Sequence, residues 1–337
     1  MRGIAQQGVT ILDIARTAGV SKSTVSLALK NSPLIKPSTA AKVQATAQQL
    51  GYVYNRSAAN LRQGQSNIVG VVVNDLSNPF FVELLIGAER VLNEAGFTVL
   101  MAHAAENLAI QSKVLVSMRE HNAAGIILCP VYDTPGDLPD QISQWGLPLV
   151  VVTHRLGKLN YDFVGSNNYV GIYQAARYLI SQGHRRIAYA GRQGRSHITE
   201  QCCCGFLDAM HEHGIDVDEK WVIDVPASTE GGRQGLRALL SMDAPPSAVI
   251  CYNDHMAIGV LSELDHLGLR AGRDLAVIGY DDIVEAAHTN PPLTTMAINP
   301  KRQGELAGRM LLERMRNTAD APYAAIVDPV LVARATA

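Results

Sequence analysis

The sequence predicts an N-terminal all-α helix-turn-helix head, followed by an α/β body of two lobes that each contain a doubly wound parallel sheet. The first observation is charge: residues 1–66 carry eight lysines and arginines against one acid, and the rest carry 21 against 30. The second is that apolar residues in the first 50 positions recur at helical spacing. The third is that two series of short apolar runs, separated by helical segments, fill the remaining chain.

Three short helices are expected in the head, because each apolar pattern has one buried face and recognisable end signals. Thr10 followed by Asp13 predicts the start of the first helix, and Gly19 predicts its end. Ser21 is the expected cap of the second helix, and the third follows Pro37. The expected inward-facing residues are Ile11, Ile14, Ala15 and Ala18, then Val25, Ala28 and Leu29, then Val43, Ala47 and Leu50.

The second predicted helix has a polar outer face that is suited to DNA. Lys22, Ser23, Ser26 and Leu27 lie on that face. The positive N-terminal end of the helix can contact phosphate while these side chains reach base edges. A capped surface helix is the alternative interpretation of such a run of hydroxyl groups. Basic charge, capping and helix spacing together favour the DNA-binding interpretation.

Five motifs in the first 62 residues resemble those of the LacI/GalR family of bacterial transcription regulators, in an order and spacing that are specific to it. The motifs are Thr10-Ile11-Leu12-Asp13-Ile14-Ala15, Ala18-Gly19-Val20-Ser21, Ser23-Thr24-Val25-Ser26, Leu50-Gly51-Tyr52 and Asn55-Arg56-Ser57-Ala58-Ala59-Asn60-Leu61-Arg62. This resemblance implies a sequence-specific DNA-binding regulator, with a repressor of carbohydrate-related genes as the expected activity.

The resemblance also implies particular DNA contacts. Lys22, Ser23 and Leu27 fall at the base-reading positions of the recognition helix. Many family members carry an arginine where this chain has Leu27, so an apolar contact to a thymine methyl group is expected in place of a bidentate guanine contact. The full set of implied DNA-binding residues is Thr10, Ser21, Lys22, Ser23, Thr24, Ser26, Leu27, Asn55, Arg56, Ala58 and Leu61.

The segment 55–63 has two interpretations. Nine residues are too few for a stable isolated helix, and the linker 64–66 is flexible in composition, which indicates a plain tether. The resemblance implies instead a hinge helix that forms on DNA beside its twin from a second subunit. Leu61 would then insert into the minor groove, with Ala58 packing nearby. The expected domains are residues 1–54, the hinge and linker 55–66, and the body 67–337.

The body shows two series of unbroken apolar runs, as is typical of parallel strands that are buried on both faces. Glycine follows several of the helical segments between them. Two such series predict two lobes with a ligand cleft between their strand ends. The predicted strands are 68–73, 98–102, 125–129 and 149–153, then 186–190, 248–252 and 275–279, and finally 325–332.

Later motifs extend the resemblance to the family's effector domain, which is similar to periplasmic sugar-binding proteins. They are Gly183-His184-Arg185-Arg186-Ile187, Asn253-Asp254, Gly279-Tyr280-Asp281-Asp282 and Pro291-Pro292-Leu293-Thr294-Thr295. Asn and Asp side chains can hydrogen-bond sugar hydroxyls and an aromatic ring can pack on a sugar face, although each polar residue alone could equally cap a loop. The implied effector-binding residues are Asn78, Phe80, Arg155, Asn167, Asn253 and Asp281.

Two positions depart from the family pattern. Cys202 stands where an arginine is usual, three residues before a Gly-aromatic pair, and His154 stands where Asp or Asn is usual. An absent or unusual effector is therefore one expectation, and Arg192 or Arg195 could replace the missing guanidinium. Within the family, Leu27 and the run Cys251-Tyr252-Asn253 resemble MalI-type repressors of the maltose regulon.

Other function classes fit the sequence less well. Phosphate-binding-loop, nucleophile-elbow and zinc-protease motifs are missing from it, so no enzyme activity, cofactor or metal is expected. The three adjacent cysteines 202–204 are interpreted as packing thiols rather than ligands. Cysteine usage and the lack of a long apolar run indicate a cytoplasmic protein, and the family resemblance implies a bacterial one. The alternative function is a cytoplasmic sugar-binding or sugar-metabolising protein with an incidental basic head.

A homodimer on palindromic operator DNA is expected, because one head reads too few base pairs. A small molecule in the cleft would rotate the lobes, change the spacing of the hinges and so alter operator affinity. The C-terminus has no heptads, so a coiled-coil tetramer is not expected. One apolar stripe could lie either at the dimer seam or in the core, and it consists of Phe80, Phe81, Leu84, Leu85, Ala88, Val91 and Leu92.

Overall fold

The computed structural model describes residues 9–29, 31–52, 66–191, 196–316 and 321–337. The chain forms two compact units, Met1–Ser66 and Asn67–Ala337, which are called here the head and the body. Several residues of the sequence predictions lie outside the described residues, and they are Asn55, Arg56, Ala58, Leu61, Arg192 and Arg195.

The head contains three helices, α1 (Ile11–Ala18), α2 (Lys22–Leu29) and α3 (Pro37–Gln49), packed around one small core. Gly19 ends α1 in the left-handed conformation at φ 66°, which lets the chain turn directly into α2. The expected inward faces are largely confirmed, because the helices bury most of the predicted residues. Those that are buried are Ile14, Ala15, Ala18, Val25, Ala28, Val43 and Ala47.

The body alternates strands and helices. Its helices are α4 (Pro79–Glu94), α5 (Leu108–Glu120), α6 (Leu138–Gln144), α7 (Asn168–Ser181), α8 (His197–Glu212), α9 (Thr229–Leu240), α10 (Asp254–His266) and α11 (Pro300–Met315). Its strands are β1 (Ile68–Val73), β2 (Thr98–His103), β3 (Gly125–Leu128), β4 (Leu149–Val152), β5 (Asp162–Ser166), β6 (Ile187–Ala190), β7 (Val222–Ile223), β8 (Ala248–Cys251), β9 (Ala276–Asp281), β10 (Thr294–Ala297), β11 (Ala324–Val327) and β12 (Val330–Val332).

The strands form two six-stranded sheets, one in each lobe. The first has the order β11-β5-β4-β3-β1-β2 and is parallel throughout, and the second has the order β12-β10-β9-β8-β6-β7. In the second sheet, as far as the described residues show, only β12 runs antiparallel to its neighbour. In both sheets the chain reverses its winding direction at a central strand, and in such sheets ligands bind beyond the carboxyl ends of the strands.

Two strand predictions differ from the structure, and three of its strands were not predicted. β2 is an edge strand with four of its six residues exposed, so it is not buried on both faces. The predicted strand 325–332 is two strands, β11 and β12, which join different sheets. β5 and β10 were missed because polar residues interrupt their apolar pattern, and β7 was missed because it has only two residues. Asp162 in β5 is paired with Arg314, and Thr294 and Thr295 in β10 are fully buried.

The apolar stripe of α4 belongs to the core of the first lobe. Six of its seven residues are buried in the main hydrophobic cluster, with Leu85 partly buried beside them. Gly87 of α4 and Gly304 of α11 allow the two helix backbones to touch, because a Cβ at either glycine would meet a carbonyl oxygen within 2.0 Å. Among the described residues, no helix has the length and apolar character that crossing a bilayer requires.

Candidate DNA interface and ligand cleft

The outer face of α2 presents the residues that the sequence assigns to base reading. Lys22 and Ser23 are exposed, and Leu27 is partly exposed. Ser21 caps the helix, with the Thr24 backbone N–H donating to its hydroxyl at 3.1 Å and the Thr24 hydroxyl 2.8 Å away. The helix therefore begins with polar groups directed at solvent, next to an exposed lysine, which is an arrangement that can contact a phosphate backbone.

Thr10 has a structural part in the head. Its backbone N–H and its hydroxyl both donate hydrogen bonds to the Asp13 carboxylate, at 2.9 and 2.6 Å. In the other direction, the Asp13 backbone N–H donates to the Thr10 hydroxyl at 3.4 Å. These hydrogen bonds from Thr10 lower the pKa of Asp13. The pair forms a reciprocal capping box that fixes the first turn of α1.

The body has a cleft of about 240 Å³ between its lobes, at the carboxyl ends of strands from both sheets. Polar and aromatic side chains line it together. From the first lobe come Asn74, Asp75, Asn78, Phe80, Phe81, Glu106, Tyr132, Thr153, His154, Ser166, Ile298 and Gln303, and from the second Asn168, Ile198, Cys202, Pro226, Ala227, Ser228, Tyr252, Asn253, Tyr280 and Asp281.

Four of the six residues that the resemblance assigned to effector binding meet at this cleft, namely Asn78, Phe80, Asn253 and Asp281. Arg155 does not, because its guanidinium lies over the Phe163 ring at 5.1 Å and lines a smaller neighbouring cavity.

Asn167 lies outside the cleft as well. Its side chain caps α7 by accepting the Val170 N–H at 3.4 Å, and the following residue, Asn168, lines the cleft instead.

The asparagines of the cleft also cap helices. Asn78 accepts the Phe80 N–H at 3.0 Å at the start of α4, and Asn253 accepts the Met256 N–H at 2.8 Å at the start of α10. The capping interpretation and the ligand-lining interpretation therefore hold for the same side chains. Capping fixes the rotamers of these amides before any ligand arrives, which reduces the entropy lost on binding.

Asp281 lies on a turn that is held from two sides. Asp281 and Asp282 both have left-handed backbone angles, with φ of 122° and 58°. Asp254 accepts the Ile283 N–H at 3.0 Å and the Thr295 hydroxyl at 2.5 Å, while Arg334 donates to Asp282 at 2.7 Å. These contacts fix the end of β9, so that the buried Asp281 carboxyl faces the cleft.

The two buried acids of this region titrate at unusual pH. Burial raises the pKa of Asp281 well above its ordinary value, and the nearby Asp254 carboxylate raises it further. Burial also raises the pKa of Asp254, to about 7. On the opposite wall burial lowers the pKa of His154 to about 4, so this imidazole is neutral at pH 7.

Three buried polar atoms of the cleft residues have no hydrogen-bond partner among the described residues: Asn74 Oδ1, Thr153 Oγ1 and His154 Nδ1. Buried polar atoms in proteins are nearly always paired. Leaving one unpaired costs about 1–3 kcal/mol, which a ligand with matching groups would recover. The cleft is therefore built to receive a polar molecule.

Sequence reasoning missed several cleft residues. Asn74 directly follows β1, and Tyr132 follows β3 by four residues. Position after a strand was therefore the available signal. The sequence contains no such signal for Glu106, because its position at the cleft depends on the conformation of a loop in which Ala105 and Glu106 both have positive φ. Cys202 and His154, which depart from the family pattern, are both buried at the cleft.

Comparison with known protein families gives two matches. The family described as "Bacterial regulatory proteins, lacI family" matches residues 10–55. The family described as "Periplasmic binding protein-like domain" matches residues 176–337. The first match covers the head helices, and the second covers most of the second lobe together with α11 and β11.

Individual relatives extend the similarity to nearly the whole chain. The HTH-type transcriptional repressor PurR of Photobacterium profundum is 31% identical over 327 residues, which are 96% of this chain and 97% of PurR. The structure of a transcriptional regulator CelR–cellobiose complex is 26% identical, with a TM-score of 0.74 over 98% of this chain and all of that one. The lac repressor dimer bound to operator and the anti-inducer ONPF has the same fold, at 23% identity and a TM-score of 0.85 over 98% of this chain and 99% of that one.

Proposed function

The chain belongs to the lacI family of bacterial regulatory proteins, and on that premise we propose that a small polar molecule in the interlobe cleft controls its hold on operator DNA. It is a DNA-binding transcriptional regulator, as its matched head and its 31% identity to a repressor over 96% of its length require. Because these relatives are repressors, repression is the direction of control, and enzyme activity is excluded. A MalI-like subfamily is not supported by these relatives.

On the DNA side, α2 enters the major groove of each operator half-site. Lys22, Ser23 and Leu27 read bases, while Ser21 and Thr24 hold phosphate through the start of the helix. Ser26 also contacts phosphate. The exposure of Lys22 and Ser23 supports this assignment. The residues outside the described part, Asn55, Arg56, Ala58 and Leu61, are assigned to the hinge on the sequence resemblance alone.

On the ligand side, the observation that carries the proposal is the set of buried, unpartnered atoms of Asn74, Thr153 and His154 at the cleft. A sugar or a sugar derivative would supply the hydroxyl groups that these atoms lack, and the ring of Phe80 offers a surface for its apolar face. The CelR relative, whose structure contains cellobiose, supports a carbohydrate of this kind.

The regulator acts as a homodimer in the bacterial cytoplasm, where its operator is. Two half-sites give the genomic specificity that one head lacks. Exposed apolar side chains on α4 and on the edge strand β2, namely Val82, Ile86, Leu100 and Met101, support a subunit interface on the first lobe. Such exposed groups on neighbouring elements are typical of protein contact surfaces.

The test begins with DNA. Genomic fragments that the purified protein retains are sequenced, and the operator found is titrated at several salt concentrations. We expect a palindromic site, an affinity that falls steeply with salt, and a further change of affinity with a cleft ligand. Retention of no preferred sequence, together with tight sugar binding, would support the rival function of a sugar-binding protein with an incidental basic head.

A further inference from the structure

The cleft contains a fixed hydrogen-bond acceptor on its first-lobe wall. The side-chain N–H of Asn74 donates to the Glu106 carboxylate. Because a carboxylate only accepts, this contact fixes the amide orientation and leaves Asn74 Oδ1 as the end without a partner among the described residues. Asn74 is only 3% exposed, so a bound molecule in the cleft is the natural source of a donor for this oxygen.

A second acceptor, Asp281, faces the cleft from the other lobe. Since the Asn78 oxygen already accepts the Phe80 N–H, Asn78 presents its N–H groups, and its side chain hydrogen-bonds Asp281. Asp281 is 6% exposed, and no lysine or arginine among the described residues lies within ion-pair distance of its carboxyl. A buried carboxyl group without a counter-ion is either protonated or becomes ionised when a cation binds beside it.

The charges of the lining agree with this interpretation. Carboxyl groups of Asp75, Glu106 and Asp281 line the cleft, and within the described part of the chain no lysine or arginine does. Cys202 stands at the position of the family's usual arginine, and burial raises the pKa of its thiol to about 12, so it stays neutral. The rings of Phe80, Tyr132 and Tyr252 are further surfaces that attract cations.

We propose that the ligand carries a protonated nitrogen, as an amino sugar does, which binds against Asp281 while another N–H or O–H of the ligand donates to Asn74 Oδ1. This inference rests on the proposed function and narrows its ligand class. An ammonium group supplies both the missing donors and the missing positive charge, whereas an anionic sugar would meet three carboxyl groups. A neutral sugar would supply donors but would leave the buried Asp281 carboxyl in its protonated form.

The proposal has a distinctive proton signature. In the ligand-free protein the carboxyl of Asp281 faces the acids Asp254 and Glu83, and burial together with their charges favours its protonated form. The neighbouring Asp282 is already paired with Arg334. An ammonium ion that binds Asp281 favours the carboxylate, so its binding releases a proton to the buffer. A neutral sugar does not favour the carboxylate, so its binding releases no proton.

The test uses calorimetry on the full chain with three sets of probes. The cations are D-glucosamine, D-galactosamine and D-mannosamine. The neutral set contains the parent hexoses and the N-acetyl forms, and the anions are the matching uronic acids. We expect binding in the cationic set, with an enthalpy at pH 7 that differs between phosphate and Tris buffers because a proton is released. If no cation binds, or if cations bind with the same enthalpy in both buffers, the proposal is overturned.

Variants locate the binding. Asp281→Asn keeps the shape of the side chain but cannot become an anion, so we expect it to weaken amino-sugar binding by about 50-fold or more. Asp274→Asn is the matched control, because Asp274 lies on the same lobe in an exposed pair with Arg273. Equal losses in the two variants would overturn the assignment. If Asp281→Asn does not fold, the buffer comparison on the unaltered protein still decides the question.

The outcomes also separate this inference from the proposed function. If a neutral sugar binds and changes operator affinity, the regulatory function stands and the cationic ligand class is wrong. If an anionic sugar binds, the charge argument is wrong, and Arg192→Gln and Arg195→Gln would then test whether those arginines hold it. If no probe binds and no metabolite alters operator binding, both the inference and the ligand side of the proposed function fail.

Discussion

The hydroxyl of Tyr132 donates a hydrogen bond to the hydroxyl of Tyr252 at 3.4 Å, and the two tyrosines belong to opposite lobes. A second bridge joins the lobes where the Val284 backbone N–H donates to Glu83 at 3.2 Å. Both contacts span the division that holds the ligand cleft. The lobes therefore meet through polar contacts that a ligand can strengthen or replace.

Removing the hydrogen bond between Tyr132 and Tyr252 should increase the fraction of molecules in which the cleft is open. A neutral hydrogen bond contributes about 1 kcal/mol, so Tyr132→Phe is expected to raise the open population about fivefold in the absence of ligand. Hydrogen exchange of peptides that cover 130–134 and 252–256 measures this. Tyr161→Phe is the control, because the hydrogen bonds of Tyr161 to Leu156 lie within one lobe. Unchanged exchange in Tyr132→Phe would show that the bridge does not hold the lobes.

The contribution of the capping box to the stability of the head should be measurable by substituting Thr10. Thr10→Ala removes the hydroxyl that joins Asp13, and losing such a cap costs about 1 kcal/mol. We expect exchange of amides in residues 11–29 to rise about fivefold. Thr17→Ala, at an exposed position on the same helix, should leave exchange unchanged. Equal rates in both variants would contradict a stabilising role for the box.

His154 should make the body less stable in acid. Its pKa is about 4 in the folded chain and about 6.5 when unfolded, so the unfolded state binds more protons between these values. Stability is therefore present above pH 6.5 and is lost as the pH falls toward 4. Urea unfolding at pH 7 and pH 5 should show that His154→Gln changes the difference between the two unfolding free energies by about 2 kcal/mol in favour of pH 5, because the variant lacks the acid-destabilising imidazole. The exposed His211→Gln variant should show the same difference between pH 7 and pH 5 as the unaltered protein.

Asp254 should act in the opposite direction. Its pKa of about 7 in the folded chain lies above its unfolded value of 3.8, so the folded state binds the extra proton. Stability from this group is complete below pH 3.8 and is lost as the pH rises through 7. In a His154→Gln background, which removes the opposing titration of His154, the unfolding free energy should fall as the pH rises from 5 to 8. Asp254→Asn should flatten this slope and Asp274→Asn should not, and a slope equal in all three proteins would refute the assignment.

The head could be predicted almost completely from the sequence because its determinants are local. Thr10 and Asp13 lie three residues apart, and Gly19 follows its helix directly, so each signal acts within one turn. The strands of the body were also largely predictable, since parallel strands buried on both faces are continuous apolar runs. β5 was missed because Asp162 needs Arg314, which lies 152 residues away, to be tolerated in a core.

The residues that line the cleft were only partly predictable, because the direction in which each side chain points is set by the folded body. Asn167 and Asn168 are adjacent, yet one caps a helix and the other faces the cleft. Arg155 follows a cleft residue but turns onto Phe163. The unpartnered oxygen of Asn74 depends on Glu106 from another loop, and no spacing rule in the sequence connects these two residues.

The central claim is that a molecule in the cleft sets the affinity for operator DNA. Fluorescence anisotropy of a labelled operator, at one fixed salt concentration, measures that affinity with and without a ligand shown by calorimetry to bind. We predict that the ligand changes the operator Kd by about 5- to 150-fold in the unaltered protein, and that the ratio falls toward one in Asp281→Asn. An operator Kd that stays the same when the cleft is saturated with ligand would contradict the account.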